Sequence, residues 1–323
     1  MNRTIQTMLI IIVQAFVLLV VGCGGEKPPE RFKVAIFNLM SHPILDASAS
    51  GIKAALRENG LDERNLEIIE VSANGEMDKL NAFAKEVLAT RPDVVVPIST
   101  PVTAAVFKEA PQNQKIVFST VTNPSDVGMD GLPPNMTGVC DAVNYEANLD
   151  LISELFPNAR RIGIIYNAGE RNSQYGVDQV RSLAESRHMQ LVVVPVSNSQ
   201  EVMDAVASLV GNIDVIYVGS DNTVVSSMVG LTKEAYRNRL PVIASDVGSM
   251  EQGALAAVSV DYEKLGRKAG EIVAEAVKTH KLPQPTSPVF FKGDQLIISE
   301  IAAKKIGYTF PSSVQQRANR TIR

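Results

Sequence analysis

The chain has 323 residues and a formal net charge of −4, from 31 basic and 35 acidic side chains. This mildly acidic balance argues against a nucleic-acid partner, which needs a basic face. The length exceeds what a single hydrophobic core usually organises, so we expect two lobes.

The N-terminal segment has the features of an export signal. It carries one charge, Arg3, and continues as an apolar run from Met8 to Val21, shorter than the ~20 residues of a membrane span. The residues LVVGC that end it resemble the lipobox of bacterial lipoproteins, where the cysteine thiol receives a diacylglycerol. We therefore expect residues 1–22 to be a signal peptide and Cys23 to be the lipidated N-terminus. The alternative is an uncleaved anchor helix with an incidental cysteine.

A tether and a second cysteine follow. Residues 23–31 combine glycines, prolines and charges, which is typical of a flexible, partly extended linker. Cys140 has no disulfide partner once Cys23 is lipidated. Its position in the stretch NMTGVCDAV predicts a small apolar residue at the end of a strand rather than a nucleophile.

From residue 32 onward, short strands rich in Val and Ile alternate with helical patterns. The strands FKVAIFN, LEIIEVS, DVVVPIS and KIVFSTV are continuous apolar runs. Such runs are expected where helices cover both faces of a parallel sheet. The first lobe is therefore predicted to be an open parallel α/β sheet.

The same pattern then restarts with the strands RIGIIYN, QLVVVPVS, DVIYVGS, LPVIASD and LAAVSVD. A long helix, the proline-rich break LPQPTSP, two short strands and a terminal helix complete the chain. We predict two Rossmann-like lobes. Lobe 1 takes residues 32–122 plus 262–288, lobe 2 takes residues 123–261 plus 289–310, and residues 311–323 form a tail.

Polar residues cluster where the predicted strands end, which is where open α/β sheets bind ligands. After the third strand, Thr100 is predicted to cap a helix with Pro101 at its first position, so that the helix N-terminus favours an anion. Asp221 and Asn222 stand at the equivalent point of the second half. An amino acid would fit, with its ammonium on Asp221 and its carboxylate on Ser99 or Thr100. The alternative is that Thr100 and Asp221 are only helix caps.

Further candidates come from the other strand ends. Asp246 and Asn172 could surround the ammonium group or the side chain of the ligand, or they could simply cap turns. Tyr166 could flank an apolar group of the ligand or pack in the core. His42 could line the cleft or be an ordinary turn residue. The remaining predicted ligand-binding residues are Thr120, Thr122, Asn167 and Ser173.

Several stretches taken together resemble one family. SHPILDASASGIKAAL, PDVVVPISTPVTAAV, KIVFSTVTNPSDVG, IYVGSDNTVVSSM and GALAAVSVDYEKLGRKAGEI are similar to ABC-transporter substrate-binding lipoproteins, which include tryptophan- and tyrosine-binding members. The match runs in order over roughly residues 32–310. It implies a type I periplasmic-binding-protein fold that closes about a three-segment hinge, and ligands that are often aromatic amino acids.

The family's motifs carry over to particular positions. They are Thr100-Pro101, Tyr166-Asn167, Asn172-Ser173, Asp221-Asn222-Thr223 and Ser245-Asp246. Two positions depart from the family pattern, since Cys140 stands where serine is common and Arg171 interrupts a usually small, polar loop.

These observations predict an extracytoplasmic, lipid-anchored, monomeric solute-binding protein of an ABC importer, whose partners are an amino acid, favoured to be aromatic, and a membrane permease. One alternative is a receptor subunit that signals to a membrane protein, and another is a cleft hydrolase. The chain has no G-x-S-x-G elbow, no G-x-x-x-x-G-K loop, no HExxH motif and only three histidines. We therefore expect no enzymatic activity, no cofactor and no metal.

Overall fold

The structure is a computed structural model, and it describes residues 31–127, 131–284 and 287–323. The predicted signal peptide, Cys23 and the tether up to residue 30 lie outside the described residues. Among the helices of these ranges, none combines the length and apolar character needed to span a bilayer.

The first sheet has six parallel strands in the order β11-β5-β4-β3-β1-β2. The strands are β1 (Phe32–Asn38), β2 (Leu66–Ser72), β3 (Val94–Ile98), β4 (Lys115–Val121), β5 (Met136–Ala142) and β11 (Val289–Lys292). Strands β3 and β4 are almost entirely buried, because helices cover both faces of the sheet.

The second sheet has seven strands in the order β13-β12-β10-β9-β8-β6-β7. Its members are β6 (Arg161–Asn167), β7 (Gln190–Val196), β8 (Val215–Val218), β9 (Val242–Asp246), β10 (Ala256–Val260), β12 (Gln295–Ser299) and β13 (Arg320–Ile322). Only the pairing of β10 with β12 is antiparallel. The fold is therefore two parallel-sheet α/β lobes, as the sequence predicted.

Twelve α-helices of the described ranges pack on the two sheets. They are α1 (Pro43–Glu58), α2 (Leu80–Ala89), α3 (Thr100–Glu109), α4 (Tyr145–Leu155), α5 (Arg171–Ser186), α6 (Val202–Leu209), α7 (Asn222–Ser226), α8 (Met228–Arg237), α9 (Val247–Glu251), α10 (Tyr262–Thr279), α11 (Glu300–Ile306) and α12 (Ser312–Arg317). Two short 3-10 turns span Met77–Lys79 and Pro124–Val127.

The sheets correct the predicted lobe boundaries. Strand β5 pairs with β4, and β11 pairs with β5 in the register Val289↔Val139, so both strands belong to lobe 1. The sequence-based boundaries are therefore wrong for residues 123–142 and 289–292, which they place in lobe 2. Residues 311–323 are not a free tail, since they form α12 and the edge strand β13 beside β12. The chain crosses between the sheets after β5, after β10 and after β11.

Helices α1 and α10 pack in unusually close contact, and this contact positions the cleft. A Cβ on Gly266 would lie 2.1 Å from the carbonyl oxygen of Ser48, and one on Gly51 would lie 2.2 Å from that of Glu263. Only glycine permits such an approach of two backbones. The two helices run parallel, so their N-termini meet beside the cleft.

Candidate functional site

A pocket lies between the lobes at the carboxyl ends of β3, β4 and β5, facing the loop after β8. The empty space within it amounts to about 310 Å³, which includes space that continues into solvent. Its lining residues are His42, Ile44, Ser99, Thr100, Thr120, Thr122, Asp141, Asn172, Ser220, Asp221, Asn222, Val225 and Tyr262. We call it the cleft pocket.

The structure brings together most of the residues predicted from sequence. Those that line the cleft pocket are His42, Ser99, Thr100, Thr120, Thr122, Asn172, Asp221 and Asn222, whereas Pro101, Tyr166, Asn167, Ser173 and Asp246 do not. Among the residues that sequence reasoning did not propose, Asp141, Ser220 and Tyr262 contribute polar groups to it. The sequence does not indicate Asp141, because nothing local shows that β5 joins the lobe 1 sheet beside β4.

Ser99 and Thr120 hold strained backbone conformations at the ends of β3 and β4. Their φ angles are 94° and 57°, in the region that normally favours glycine, at a cost of about 1–3 kcal/mol each. Both hydroxyl oxygens are buried without a hydrogen-bond partner. Ser99 is also the residue before helix α3, so Thr100 is its first residue and Pro101 its second. This corrects the predicted cap, and Thr100 Oγ1 instead accepts from the Thr122 backbone N–H at 3.4 Å.

His42 precedes α1 and contacts the opposite lobe. Its Nε2 lies 3.2 Å from Oδ1 of Asn222. The Asn222 Nδ2 group donates to Glu170 Oε2 at 2.5 Å, which fixes the amide orientation, so Nε2 must be the donor toward Oδ1. The other ring nitrogen, Nδ1, is therefore an acceptor, and it is buried without a partner. Burial lowers the pKa of His42, which favours this neutral tautomer.

Asp221 caps helix α7 and is fully hydrogen-bonded within lobe 2. Its Oδ1 accepts from Val224 N at 2.8 Å, and its Oδ2 accepts from Asn167 N at 2.6 Å and from the Ser173 hydroxyl. Burial and the nearby negative charge of Glu170 raise its pKa above the usual range. Asn167 and Ser173 thus hold Asp221 rather than face the cleft.

Glu170, which sequence reasoning did not propose, organises the lobe 2 wall. It is 1% exposed. Its Oε1 accepts from the Thr223 backbone N at 3.1 Å and hydroxyl at 2.9 Å, and its Oε2 accepts from the Asn172 and Asn222 amides. The stretch YNAGERNS that contains it begins with the last two residues of β6, and a carboxylate just after a strand end was the available signal.

Asn172 and Ser220 complete the lobe 2 wall. Asn172 Nδ2 donates to Glu170 Oε2 at 3.1 Å and to the Ser220 carbonyl at 2.9 Å, so its Oδ1 is left as an acceptor. That Oδ1 and the Ser220 hydroxyl are buried without hydrogen-bond partners.

Asp141 is the penultimate residue of strand β5 and lies on the lobe 1 wall. Its Oδ2 accepts from the Tyr262 hydroxyl at 3.0 Å, while its Oδ1 is buried without a hydrogen-bond partner. Burial raises its pKa to about 6, although the donors Tyr262 and Thr122 act in the opposite direction. The neighbouring Cys140 is fully buried, and its burial raises the pKa of the thiol.

Two other predicted residues lie apart from the cleft pocket. Asp246 caps α9, accepting from the Ser249 backbone N at 2.6 Å and its hydroxyl at 2.5 Å. Tyr166 lines an adjacent chamber in lobe 2 with Ile164, Val177 and Tyr217, where the empty space, including space open to solvent, is about 240 Å³. This chamber shares Ser220 and Asp221 with the cleft pocket.

Unpaired polar atoms concentrate in the cleft pocket. Six buried polar atoms of its lining lack a partner, namely His42 Nδ1, Ser99 Oγ, Thr120 Oγ1, Asp141 Oδ1, Asn172 Oδ1 and Ser220 Oγ. Each such atom costs about 1–3 kcal/mol when it stays unpaired. The lining contains no Lys or Arg, and within the described ranges no group of His, Cys, Asp and Glu could hold a metal ion. The pocket is thus built to receive a small polar molecule.

Two parallel-sheet lobes, three crossings between them and a polar cleft define a type I periplasmic binding protein. The sequence profile of the ABC transporter substrate binding proteins matches residues 33–322, so the chain belongs to that family. It is therefore a solute-binding protein and not an enzyme. A tyrosine-binding protein of Clostridioides difficile (strain R20291) is 37% identical over 254 residues, 77% of this chain and 73% of that protein.

Two solved structures of similar proteins differ in whether a ligand is bound. The chain superposes with a TM-score of 0.86 on an ABC domain in complex with L-Trp from Streptococcus pneumonia, at 26% identity over 91% of this chain and 100% of the other. The TM-score is 0.65 for the ligand-free, open structure of a substrate binding protein with adhesive properties from Clostridium difficile. That protein is 33% identical, and the match covers 90% of this chain and 99% of the other. The chain therefore superposes better on the ligand-bound structure than on the open one, and His42 and Asn222 form a hydrogen bond between its lobes.

Proposed function

We propose that this protein is the extracytoplasmic solute-binding component of an ABC importer, and that it closes over an amino acid in the cleft pocket. The observation that carries the proposal is the set of six unpaired buried polar atoms that line one interlobe pocket. Buried polar groups are nearly always hydrogen-bonded, so a cluster of unpaired ones in a single pocket supports the binding of a small polar molecule there. Family membership supports delivery of the solute to a membrane permease.

The hydrogen-bonding character of the six atoms matches an amino acid. His42 Nδ1, Asp141 Oδ1 and Asn172 Oδ1 are acceptors, as their other contacts fix. The hydroxyls of Ser99 and Thr120 can donate. An ammonium group has three donors and a carboxylate has only acceptors, so an amino acid would satisfy both sets. Ser99 also adjoins the N-terminus of α3, whose positive dipole end favours a carboxylate.

An apolar side chain on the solute is supported by the second chamber. Tyr166, Tyr217, Ile164 and Val177 give it aromatic and aliphatic walls, and it opens beside Ser220 at the cleft pocket. Relatives named for tyrosine and tryptophan support an aromatic solute. We propose that the solute's carboxylate and ammonium occupy the cleft pocket and that its side chain extends toward this chamber.

A thermal-shift panel of the twenty standard amino acids tests the proposal. A ligand that binds only the folded protein stabilises it by about 2.7 kcal/mol when its concentration is 100 times the dissociation constant. We expect at least one aromatic amino acid to raise the melting temperature, and glucose at the same concentration to leave it unchanged. A panel in which no amino acid raises the melting temperature contradicts the proposal.

We also propose that the mature protein is a monomer held at the membrane by a lipid on Cys23. The lipobox-like sequence before Cys23 supports this anchor. In cells, Cys23→Ala should move the protein from the membrane fraction to the soluble extracytoplasmic fraction, with Cys140→Ala as the control that stays membrane-bound. Equal membrane retention of the two variants contradicts the anchor.

A further inference from the structure

We propose that Asp141, and not Asp221, binds the ammonium group of the solute, and that Asp141 thereby selects amino acids over analogues that lack the amino group. This inference rests on the proposed function. It concerns a residue that the sequence did not single out, on the opposite wall of the cleft from Asp221.

The buried acidic side chains around the cleft pocket, Asp141, Glu170 and Asp221, differ in how completely they are hydrogen-bonded. Both oxygens of Asp221 accept hydrogen bonds within lobe 2, from Val224, Asn167 and Ser173. Both oxygens of Glu170 do so as well, from Thr223, Asn172 and Asn222. Both remain satisfied whether or not a ligand is present. Asp141, at 2% exposure, has one oxygen bound to Tyr262 and the other unpaired in the cleft pocket.

The lining of the cleft pocket offers no positively charged side chain to Asp141. A carboxylate that is buried without a counter-charge is costly, and it is retained where a cation neutralises it. The pocket lining supplies no Lys or Arg, so a neutralising cation has to come from the ligand. The pKa of Asp141 is raised to about 6, with burial as the main cause.

The unpaired Oδ1 of Asp141 shares the cleft pocket with two other unpaired acceptors. His42 Nδ1 and Asn172 Oδ1 line the same pocket and are also acceptors without partners. Together with Asp141 Oδ1 they provide three acceptors, which equals the number of N–H bonds of a primary ammonium. His42 and Asp141 belong to lobe 1, whereas Asn172 belongs to lobe 2, so a bound ammonium contacts both walls and favours closure.

Asp141 lies next to the segments in which the chain crosses from one lobe to the other. Asp141 lies at the end of β5, just before the first crossing, and Tyr262 begins α10, just after the second crossing. Their hydrogen bond joins the two crossings beside the pocket. A ligand that binds Asp141 Oδ1 therefore contacts the part of the chain that connects the two lobes.

The experiment compares each amino acid that binds with its 2-hydroxy acid analogue, in which a hydroxyl replaces the ammonium. Calorimetric titration gives the ratio of the two affinities for the wild type, Asp141→Asn and the matched variant Asp221→Asn. We expect the wild type to prefer the amino acid, and Asp141→Asn to weaken amino-acid binding by about 10- to 100-fold while leaving the hydroxy acid unchanged. Asp221→Asn should lower the melting temperature and keep the wild-type ratio.

The outcomes separate the two proposals. If the wild type binds an amino acid but Asp141→Asn keeps the wild-type ratio, the assignment of Asp141 is overturned and the proposed function stands. If the wild type binds none of the twenty, both are overturned. Should Asp141→Asn fail to fold, a crystal structure of the wild type with its amino acid decides. An ammonium nitrogen within hydrogen-bond distance of Asp141 Oδ1 supports the assignment, and any other position overturns it.

Discussion

The imidazole Nε2 of His42 and the amide Oδ1 of Asn222 lie 3.2 Å apart although 180 residues separate them in the chain. His42 precedes the first helix of lobe 1, and Asn222 begins α7 in lobe 2, so this hydrogen bond crosses the cleft. Asn222 is in turn bound to Glu170, which also holds Asn172. Closure therefore connects lobe 1 to the carboxylate that organises the lobe 2 wall.

This contact predicts that His42→Ala shifts the protein toward the open state. Loss of one buried hydrogen bond costs about 0.5–1.5 kcal/mol, which corresponds to an affinity about 2- to 10-fold weaker. Small-angle scattering of the ligand-free variant should give a larger radius of gyration than the wild type. The control is His188→Asn, an exposed lobe 2 histidine at φ 55°, which asparagine tolerates. An unchanged radius and affinity for His42→Ala would exclude a role in closure.

Ser99 predicts a contrast between two substitutions. Ser99→Ala and Ser99→Gly both remove the unpaired hydroxyl, so both should weaken solute binding by a similar factor. Glycine also relieves the strain at φ 94°, whereas alanine keeps it. Urea denaturation without ligand should therefore find Ser99→Gly more stable than Ser99→Ala by about 1 kcal/mol. Equal stabilities would show that the backbone at Ser99 is not strained.

The helix contact at Gly266 predicts a large loss of stability. A methyl group there would lie 2.1 Å from the carbonyl oxygen of Ser48, and backbone cannot move aside as a side chain can. We expect Gly266→Ala to lower the free energy of unfolding by about 1–3 kcal/mol or more. The control is Glu271→Ala on the exposed side of the same helix, whose ion pair with Lys268 is worth little. Similar unfolding curves for the two variants would contradict this packing.

The buried carboxyl of Asp141 predicts a pH dependence of stability without ligand. Its pKa is raised to about 6, so between about 4, the ordinary value, and 6 the folded protein binds more protons than the unfolded chain. Stability from this group is therefore present at acidic pH and is lost as the pH rises through 6. The side chains that face it are Tyr262, Thr122 and, across the pocket, His42.

The measurement for this prediction is the difference in unfolding free energy between the wild type and Asp141→Asn, taken from pH 5 to pH 8. As the pH rises, the difference should shift in favour of the variant, because an asparagine amide does not titrate whereas the wild-type carboxyl acquires a buried charge. Other acidic groups cancel in the difference if they are unaffected by the substitution. A difference that stays constant across this range would mean that Asp141 does not titrate with a raised pKa.

The alternation of strands and helices was readable in the sequence because it is a local property. Continuous apolar runs such as DVVVPIS predicted buried parallel strands, and β3 confirms this. The lobe boundaries were less accessible, since β5 and β11 join their sheet through partners far apart in the chain, and no local pattern records which sheet a strand joins.

The candidate site, like the fold, was predictable from the sequence only in part. The polar strand ends predicted eight of the pocket residues because parallel strands present their carboxyl ends at one edge. They could not predict which side chains were already satisfied. Asp221 and Asp141 have the same chemistry in the sequence, yet one is saturated by its own lobe and the other keeps an unpaired oxygen.

The sequence by itself determined the two-lobed α/β architecture and the polar character of the cleft, because periodicity and strand-end composition are written in neighbouring residues. Only the tertiary structure decided the hydrogen bond between the lobes and the identity of the carboxylate that keeps an unpaired oxygen. The physical reason is that a hydrogen bond such as that of Tyr262 to Asp141, across 121 residues, depends on packing of the whole chain.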